Sequence, residues 1–325
     1  MSLNPARFTL PGSELHHTIN SVVHATSHDP PYKKLKDKNI DLRNVCFEIQ
    51  LDSFRAIATD QKRLSVASTQ IKSNIGSGYC VTMYRMNAKD MIRMYKNHDS
   101  ITGHIHKGLL HIDDHYMNVE PSEVETRLMY KQSFRLENDK FINWRKNVPY
   151  AKKPLMVKLD TRMFKMALMD MFKGVTRKMI PSHKRGVVLT MCDNTVTLRS
   201  SNMTAEEAKG KQSLFEYGEK DPEGLRILAD QVETTFEVET PKPRYMIWLN
   251  PVYLLDAVNS IRDEEFMFAH GDESNLMIHE HIDGNVVLTP ISIFNVHYQL
   301  APVDSPYLHI IMPMNPDPGR PRNSF

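Results

Sequence analysis

What this chain lacks narrows its function before anything it contains. No apolar run approaches the roughly 18 residues that a membrane-spanning helix needs. The N-terminus, Met1-Ser2-Leu3-Asn4-Pro5, has neither the basic region nor the apolar core of a signal peptide. Cysteine is scarce: Cys46, Cys80 and Cys192 are scattered, odd in number and form no CxxC. This excludes a disulfide scaffold. With Cys46 and Cys80 in apolar, strand-like runs, it predicts buried thiols in a reducing, cytoplasmic compartment. There is no GxSxG, no HExxH, no phosphate-cradling glycine loop and no redox pair. The acidic residues Asp113, Asp114, Asp160 and Asp170 form no constellation with a base or nucleophile. The expectation is a protein without catalytic residues and without a cofactor. A strong excess of one charge is also missing. The formal net charge is +2, so any electrostatic reading rests on where the charges sit.

What is present is ordinary for a globular chain: 325 residues, 41% hydrophobic and 25% charged, enough for two or three domains. A strand over 7–10 leads through Pro11-Gly12-Ser13, with Ser13 as N-cap, into a helix from Glu14 to about Ala25. After Ser27-His28-Asp29-Pro30-Pro31 and a basic loop come strands at 45–51, 54–59, 63–67 (alternating with period two) and 78–83. Asn87 would cap a second helix over 88–97, followed by strands at 100–105, 109–112 and 116–119. The second half repeats the scheme. A strand at 155–159 precedes a helix capped by Asp160 or Thr161 and running to about Val175. Strands follow at 187–192 and 195–200, joined by the turn Asp193-Asn194, then at 234–239 and 245–249. Asn250 with Pro251 opens a helix to about Ile261, and strands at 265–269, 276–279 and 307–312 close the pattern. Helix, strands, helix, strands, twice over, is an internal repeat of fold rather than of sequence. The boundary falls between Phe134 and Pro154. The polar stretch 202–232 reads as an exposed insertion, and 315–325 as a disordered tail.

Fifteen histidines raise the question of a metal. His104, His106, His111 and His115 cluster, and His279 and His281 flank Glu280, but none shows a metal-site spacing. Alternating histidines on an exposed strand explain the first cluster, so no metal is expected.

Two distant stretches, Ala56–Ala67 and Tyr307–Met314, read as the halves of one apolar, peptide-sized groove. The same stretches carry a family likeness. Thr59-Asp60-Gln61-Lys62-Arg63-Leu64-Ser65-Val66 resembles TDGHRLAV of the bacterial sliding clamp, the DNA polymerase III beta subunit. Met312-Pro313-Met314 resembles its C-terminal MPMRL. Phe8-Thr9-Leu10-Pro11 resembles the start of its middle domain. Asn250-Pro251-Val252-Tyr253-Leu254-Leu255-Asp256-Ala257-Val258 resembles the NVSYLLDAL helix of its last domain. The motifs keep the family's order from about residue 8 to 314 but match only its second and third domains. The chain is then either a two-domain clamp-like protein or a piece lacking the first domain. It departs from the pattern at Gln61 (for glycine), at Lys62 (for histidine) and in the eleven residues after Met314.

The resemblance implies an α+β fold of two clamp domains, 1–135 and 136–314, each with two helices backed by antiparallel sheets. It implies a non-catalytic processivity factor of DNA replication that encircles duplex DNA without sequence preference. A pocket for short peptides of the replicative polymerase and the clamp loader would be lined by Leu42, Thr59, Gln61, Lys62, Arg63, Leu64, Pro149, Ile310, Met312, Pro313 and Met314. Methionines and leucine would give it an adaptable apolar floor, with Lys62 and Arg63 as rim anchors. DNA-facing residues would be Lys33, Lys34, Lys89, Arg93, Lys96, Arg162, Lys165, Lys173, Arg177 and Lys178. Scattered cations without stacking aromatics suit a sliding contact with phosphates, although solvated helix faces would look the same. The first helix carries His16, His17 and His24 instead. A six-domain ring built from two domains per chain predicts a homotrimer. The alternative is a non-ring, clamp-like module that binds or competes for polymerase and loader partners.

Overall fold

The structure, a computed structural model, describes residues 6–29, 40–75, 78–106, 108–115, 132–137, 140–148, 155–175, 186–192, 194–201, 233–238, 245–270 and 290–313. The expected basic loop at 33–38, the strands at 116–119 and 276–279, the insertion at 202–232 and the tail at 315–325 lie outside these residues. By contacts the chain divides into two compact units. One comprises Met1–Asn147 with Ala301–His309, and the other Val148–Leu300 with Ile310–Phe325.

In the first unit, β1 (Ala6–Leu10) leads into α1 (Gly12–Val23). Next come β2 (Asn44–Ile49), β3 (Ser53–Thr59), β4 (Arg63–Gln70), the short β5 (Lys72–Ser73) and β6 (Tyr79–Tyr84). Then α2 (Arg85–Tyr95) is followed by β7 (Ser100–His106), β8 (Leu109–His115) and β9 (Gln132–Arg135). One sheet has the order β5-β1-β7-β8-β9. In the other, the strands run β6-β2-β3-β4, with the start of a late strand, β17 (Tyr307–Ile311), beside β4. The pairings among β1 to β9 are antiparallel, with Phe8 opposite Gly103 and Ile57 opposite Val66. Both helices lay apolar stripes on the sheets. Leu15, Ile19 and Val22 of α1 and Ala88, Met91, Ile92 and Tyr95 of α2 join Phe8, Phe47, Phe54, Ile101 and Ile112 in one core. The rings of Phe8 and Phe54 lie 5.7 Å apart, and burial of this apolar surface is what stabilises the unit.

In the second unit, β10 (Leu155–Asp160) leads into α3 (Thr161–Val175). β11 (Gly186–Cys192), β12 (Thr195–Ser201), β13 (Glu233–Glu237) and β14 (Tyr245–Leu249) follow, forming an antiparallel sheet in the order β13-β12-β11-β14. Then come α4 (Pro251–Asn259), β15 (Glu265–His270) and β16 (Ile291–Phe294), with β15 between β10 and β16. Phe164 of α3 anchors the core, edge-on to Phe266 at 5.4 Å. The class is α+β, with antiparallel sheets and four α-helices among the described residues.

Several boundaries differ from the sequence reading. The first helix starts at Gly12 and is preceded by Pro11, with no side-chain cap, so Ser13 is not its N-cap. The second starts at Arg85, which puts Asn87 inside its first turn. β4 does not alternate in burial: Arg63 through Ala67 are all buried, because α1 packs on this strand. Cys80, expected to be buried, is exposed. It sits on β6, the terminal strand of its sheet. Strands β9 and β16 were not foreseen. The caps Asp160 and Asn250 are as expected. The Asp160 carboxylate accepts the Met163 N–H at 2.7 Å, and the Asn250 side chain accepts the Val252 N–H at 2.9 Å. Among the described residues no helix is long and apolar enough to cross a membrane.

Candidate functional site

The sequence Asp60-Gln61-Lys62 makes the turn between β3 and β4, and its geometry is set by side chains. The Asp60 carboxylate accepts the N–H groups of Lys62 and Arg63 at 2.9 and 3.0 Å. The Thr59 hydroxyl donates to the Arg63 carbonyl at 2.7 Å and accepts the Gln61 N–H at 3.1 Å. Gln61 takes a left-handed φ of 71°. That is the position where the family motif has glycine, the residue that adopts such a φ without steric cost.

The predicted pocket residues differ in what they present. Gln61 and Lys62 are exposed, whereas Leu42, Thr59 and Leu64 are buried. Arg63 is only 9% exposed. Its guanidinium pairs with Asp60 at 3.2 Å and donates to the His24 carbonyl, so its charge is committed to fastening the turn to the end of α1. In the second unit Ile310 and Pro313 are buried and Met312 is half-buried. Pro149 and Met314 lie outside the described residues.

Behind the turn is a polar cluster that sequence reasoning missed. The Ser65 hydroxyl lies 3.3 Å from Nε2 of His24 and 3.0 Å from Nδ1 of His309. With one proton, the hydroxyl can donate to one ring while accepting an N–H from the other, which accommodates two neutral imidazoles. Burial, then the charge of Arg63, pushes the His24 pKa down to about 3. Burial, followed by His24 and Arg63, holds His309 well below the ordinary histidine value. No sequence signal marks His309, which sits in an otherwise apolar strand.

A second network in the first unit centres on the buried Trp144. Trp144, in a 3-10 turn at Trp144–Asn147, donates its indole N–H to Glu48 at 2.8 Å. Arg145 grips the same carboxylate with two bonds of 2.9 and 2.7 Å and stacks 4.3 Å over the Trp144 ring. Burial pushes the Glu48 carboxyl up, but the hydrogen bonds from Arg145 and Trp144 outweigh it and hold the group below the usual carboxylate range.

Those predicted DNA-facing residues that are described lie on, or at the end of, α2 and α3. On α2, Arg93 is exposed, 3.6 Å from Asp90. Lys96, at the helix end, is exposed, and Lys89 is half-buried. On α3, Arg162 is exposed and Lys165 half-buried, and they alternate with the exposed methionines Met163, Met166 and Met169. Lys173 falls within α3, but its side chain is outside the described ones, as are Lys33, Lys34, Arg177 and Lys178. No lysine or arginine lies on α1 or α4. Of the histidine cluster, His104 and His111 face each other across β7 and β8 with rings stacked at 4.8 Å, and His111 is hydrogen-bonded to Ser133 at 2.7 Å. Among the described residues no three metal-ligating side chains come together.

Neither a protein-family model nor a curated protein sequence matches the chain. Solved structures do. The chain is similar to the DNA polymerase sliding clamp from Pseudomonas aeruginosa, at 15% identity and a TM-score of 0.66, over 97% of this chain and 68% of that one. A second structure, the DNA polymerase III subunit beta from Pseudomonas aeruginosa, gives the same values. The DNA polymerase III beta subunit from Thermotoga maritima matches at 16% identity and a TM-score of 0.62, again over 97% and 68%. The chain has the sliding-clamp fold and spans about two thirds of the length of these proteins.

Proposed function

We propose that this protein is a sliding-clamp-like processivity factor that encircles duplex DNA and tethers a polymerase, with no catalytic step of its own. The observation that carries this reading is the likeness to DNA polymerase clamps over 97% of the chain. The exposed cations Arg93, Lys96 and Arg162 supply attraction to phosphates without base readout. Partner peptides of the polymerase and loader bind a groove to which Leu42, Thr59, Gln61, Lys62, Arg63, Leu64, Pro149, Ile310, Met312, Pro313 and Met314 contribute. Since Arg63 is buried and paired, Lys62 and Gln61 provide the polar rim. The two clamp domains, 1–135 and 136–314, would close a six-domain ring as a homotrimer.

The uneven charge favours a second reading. With α1 and α4 free of lysine and arginine, a non-ring module that competes for clamp partners would need no more cations than these. Light scattering combined with DNA retention decides. A ring gives a mass of three chains in solution and stays on nicked circular DNA but runs off the same DNA after linearisation. A monomer at micromolar concentration, with no difference between the two DNA forms, overturns the ring and leaves the module.

A further inference from the structure

The chain holds a pair of thiols that the clamp reading does not use. Cys46 lies on β2 and Cys80 on β6. In the register of these strands Cys46 is opposite Thr82, and Cys80 is opposite Glu48. The two cysteines are therefore diagonal neighbours on one face of the sheet, and their sulfurs lie 3.4 Å apart. Their surroundings are unequal. Cys46 is 1% exposed, whereas Cys80 is exposed to solvent on the terminal strand of its sheet. Among the described residues this terminal strand is paired along one edge, apart from the bridge from Thr82 to Glu137.

We propose that Cys80 and Cys46 form a redox-modification site, in which a peroxide oxidises Cys80 and Cys46 resolves the product to a reversible cross-strand disulfide. The Cys80 thiolate attacks one peroxide oxygen. An S–O bond forms and the O–O bond breaks, and the departing oxygen leaves as water or an alcohol after taking a proton. The Cys46 sulfur then attacks the sulfenyl sulfur of Cys80. The S–S bond forms, the S–O bond breaks, and hydroxide leaves with the Cys46 proton as water. Two thiols lose two electrons and two protons, which the peroxide accepts. A dithiol reductant reverses the step by being oxidised itself.

The division of roles follows from the environment. The hydrogen bond from Cys46 lowers the Cys80 pKa to about 7, against burial and the Glu48 charge, with Arg145 helping. The same contact, followed by burial, pushes Cys46 up. The exposed sulfur is thus the nucleophile toward solvent, and the buried one keeps its proton until the second step.

The test uses the full chain, reduced and then treated with a small excess of hydrogen peroxide at neutral pH. Two thiols should disappear together, the intact mass should fall by two hydrogen atoms, and digestion should yield a peptide pair joining Cys46 to Cys80 that dithiothreitol separates. Cys80→Ser, at an exposed position, should leave the melting temperature unchanged and slow the loss of Cys46 by about tenfold or more. Cys46→Ser should leave Cys80 as a sulfenic acid that dimedone captures. The proposal is overturned if Cys192 appears in the linked peptide. It is also overturned if Cys46 is consumed equally fast in Cys80→Ser, or if both thiols survive a peroxide dose that oxidises the protein's methionines.

Discussion

The turn at Gln61 shows a cost that one residue carries. Its φ of 71° suits glycine, and a side chain there is strained by about 1 kcal/mol. Glycine would also add freedom to the unfolded chain, which offsets part of the gain. Gln61→Gly should therefore stabilise the first unit by about 0.5 kcal/mol, seen as a higher denaturant midpoint. A lower midpoint would mean that the Gln61 side chain makes a compensating contact. The histidines around Ser65 make a prediction of opposite kind, in pH. Both rings are held neutral in the folded protein, His24 down to a pKa of about 3. Above the ordinary histidine value of 6.5 both states are neutral and stability is full. As pH falls below 6.5 the unfolded chain takes up protons that the folded one refuses, so stability drops, for His24 down to about pH 3. Each such histidine contributes a slope of at most about 1.4 kcal/mol per pH unit. The carboxyls of Asp41 and Glu48, lowered by their arginine partners against the effect of burial, enter only in the acid range of carboxylates. Denaturation between pH 5 and 6.5 should then show a slope that falls in His309→Gln, even if that variant is less stable at every pH. An unchanged slope would show that His309 is not the buried neutral group.

Among elements, the helix starts show what a sequence can and cannot disclose. Asn250 and Asp160 were readable as caps because the bond each makes is local, to an N–H two or three residues on. Ser13 and Asn87 had the same chemistry and failed, because tertiary contacts move both starts earlier. The Gly12 N–H donates to the His98 carbonyl at 2.9 Å, and a Cβ at Gly12 would lie 2.1 Å from the Tyr95 carbonyl oxygen. Arg85 donates its backbone N–H to Arg43 and its side chain to the Ser27 carbonyl. Strand edges are hidden for the same reason. The apolar run around Cys80 reads as core, yet nothing within it says that β6 ends its sheet. The serine–histidine cluster joins residues 41 and 244 positions apart, a separation that periodicity does not report. The cap offers a direct check. Asn250→Ala should cost about 1 kcal/mol, with Asn250→Ser recovering most of it. No loss in either would indicate that Pro251 alone sets the start of α4.

At the scale of the whole molecule, a net charge of +2 gives no general field for DNA, so in the proposed clamp local faces would have to hold it. The face of α3 mixes Arg162 and Lys165 with three exposed methionines, which under that proposal would make its phosphate contacts few. Few contacts mean a shallow salt dependence, since each neutralised phosphate contributes about 0.9 to the slope of log affinity against log salt. A closed ring changes the consequence of weak attraction. Once it surrounds a circle it cannot leave by breaking phosphate contacts, whereas an open module can. Protein loaded on nicked circular DNA at low salt should therefore resist a wash at high salt, while protein on linear DNA is lost. The double variant Arg162→Glu with Lys165→Glu should load less but, once loaded, be retained on circles as well as the parent. If circles and linear DNA release the protein alike at every salt concentration, attachment is electrostatic rather than topological, and a non-ring module becomes the function that this fold serves.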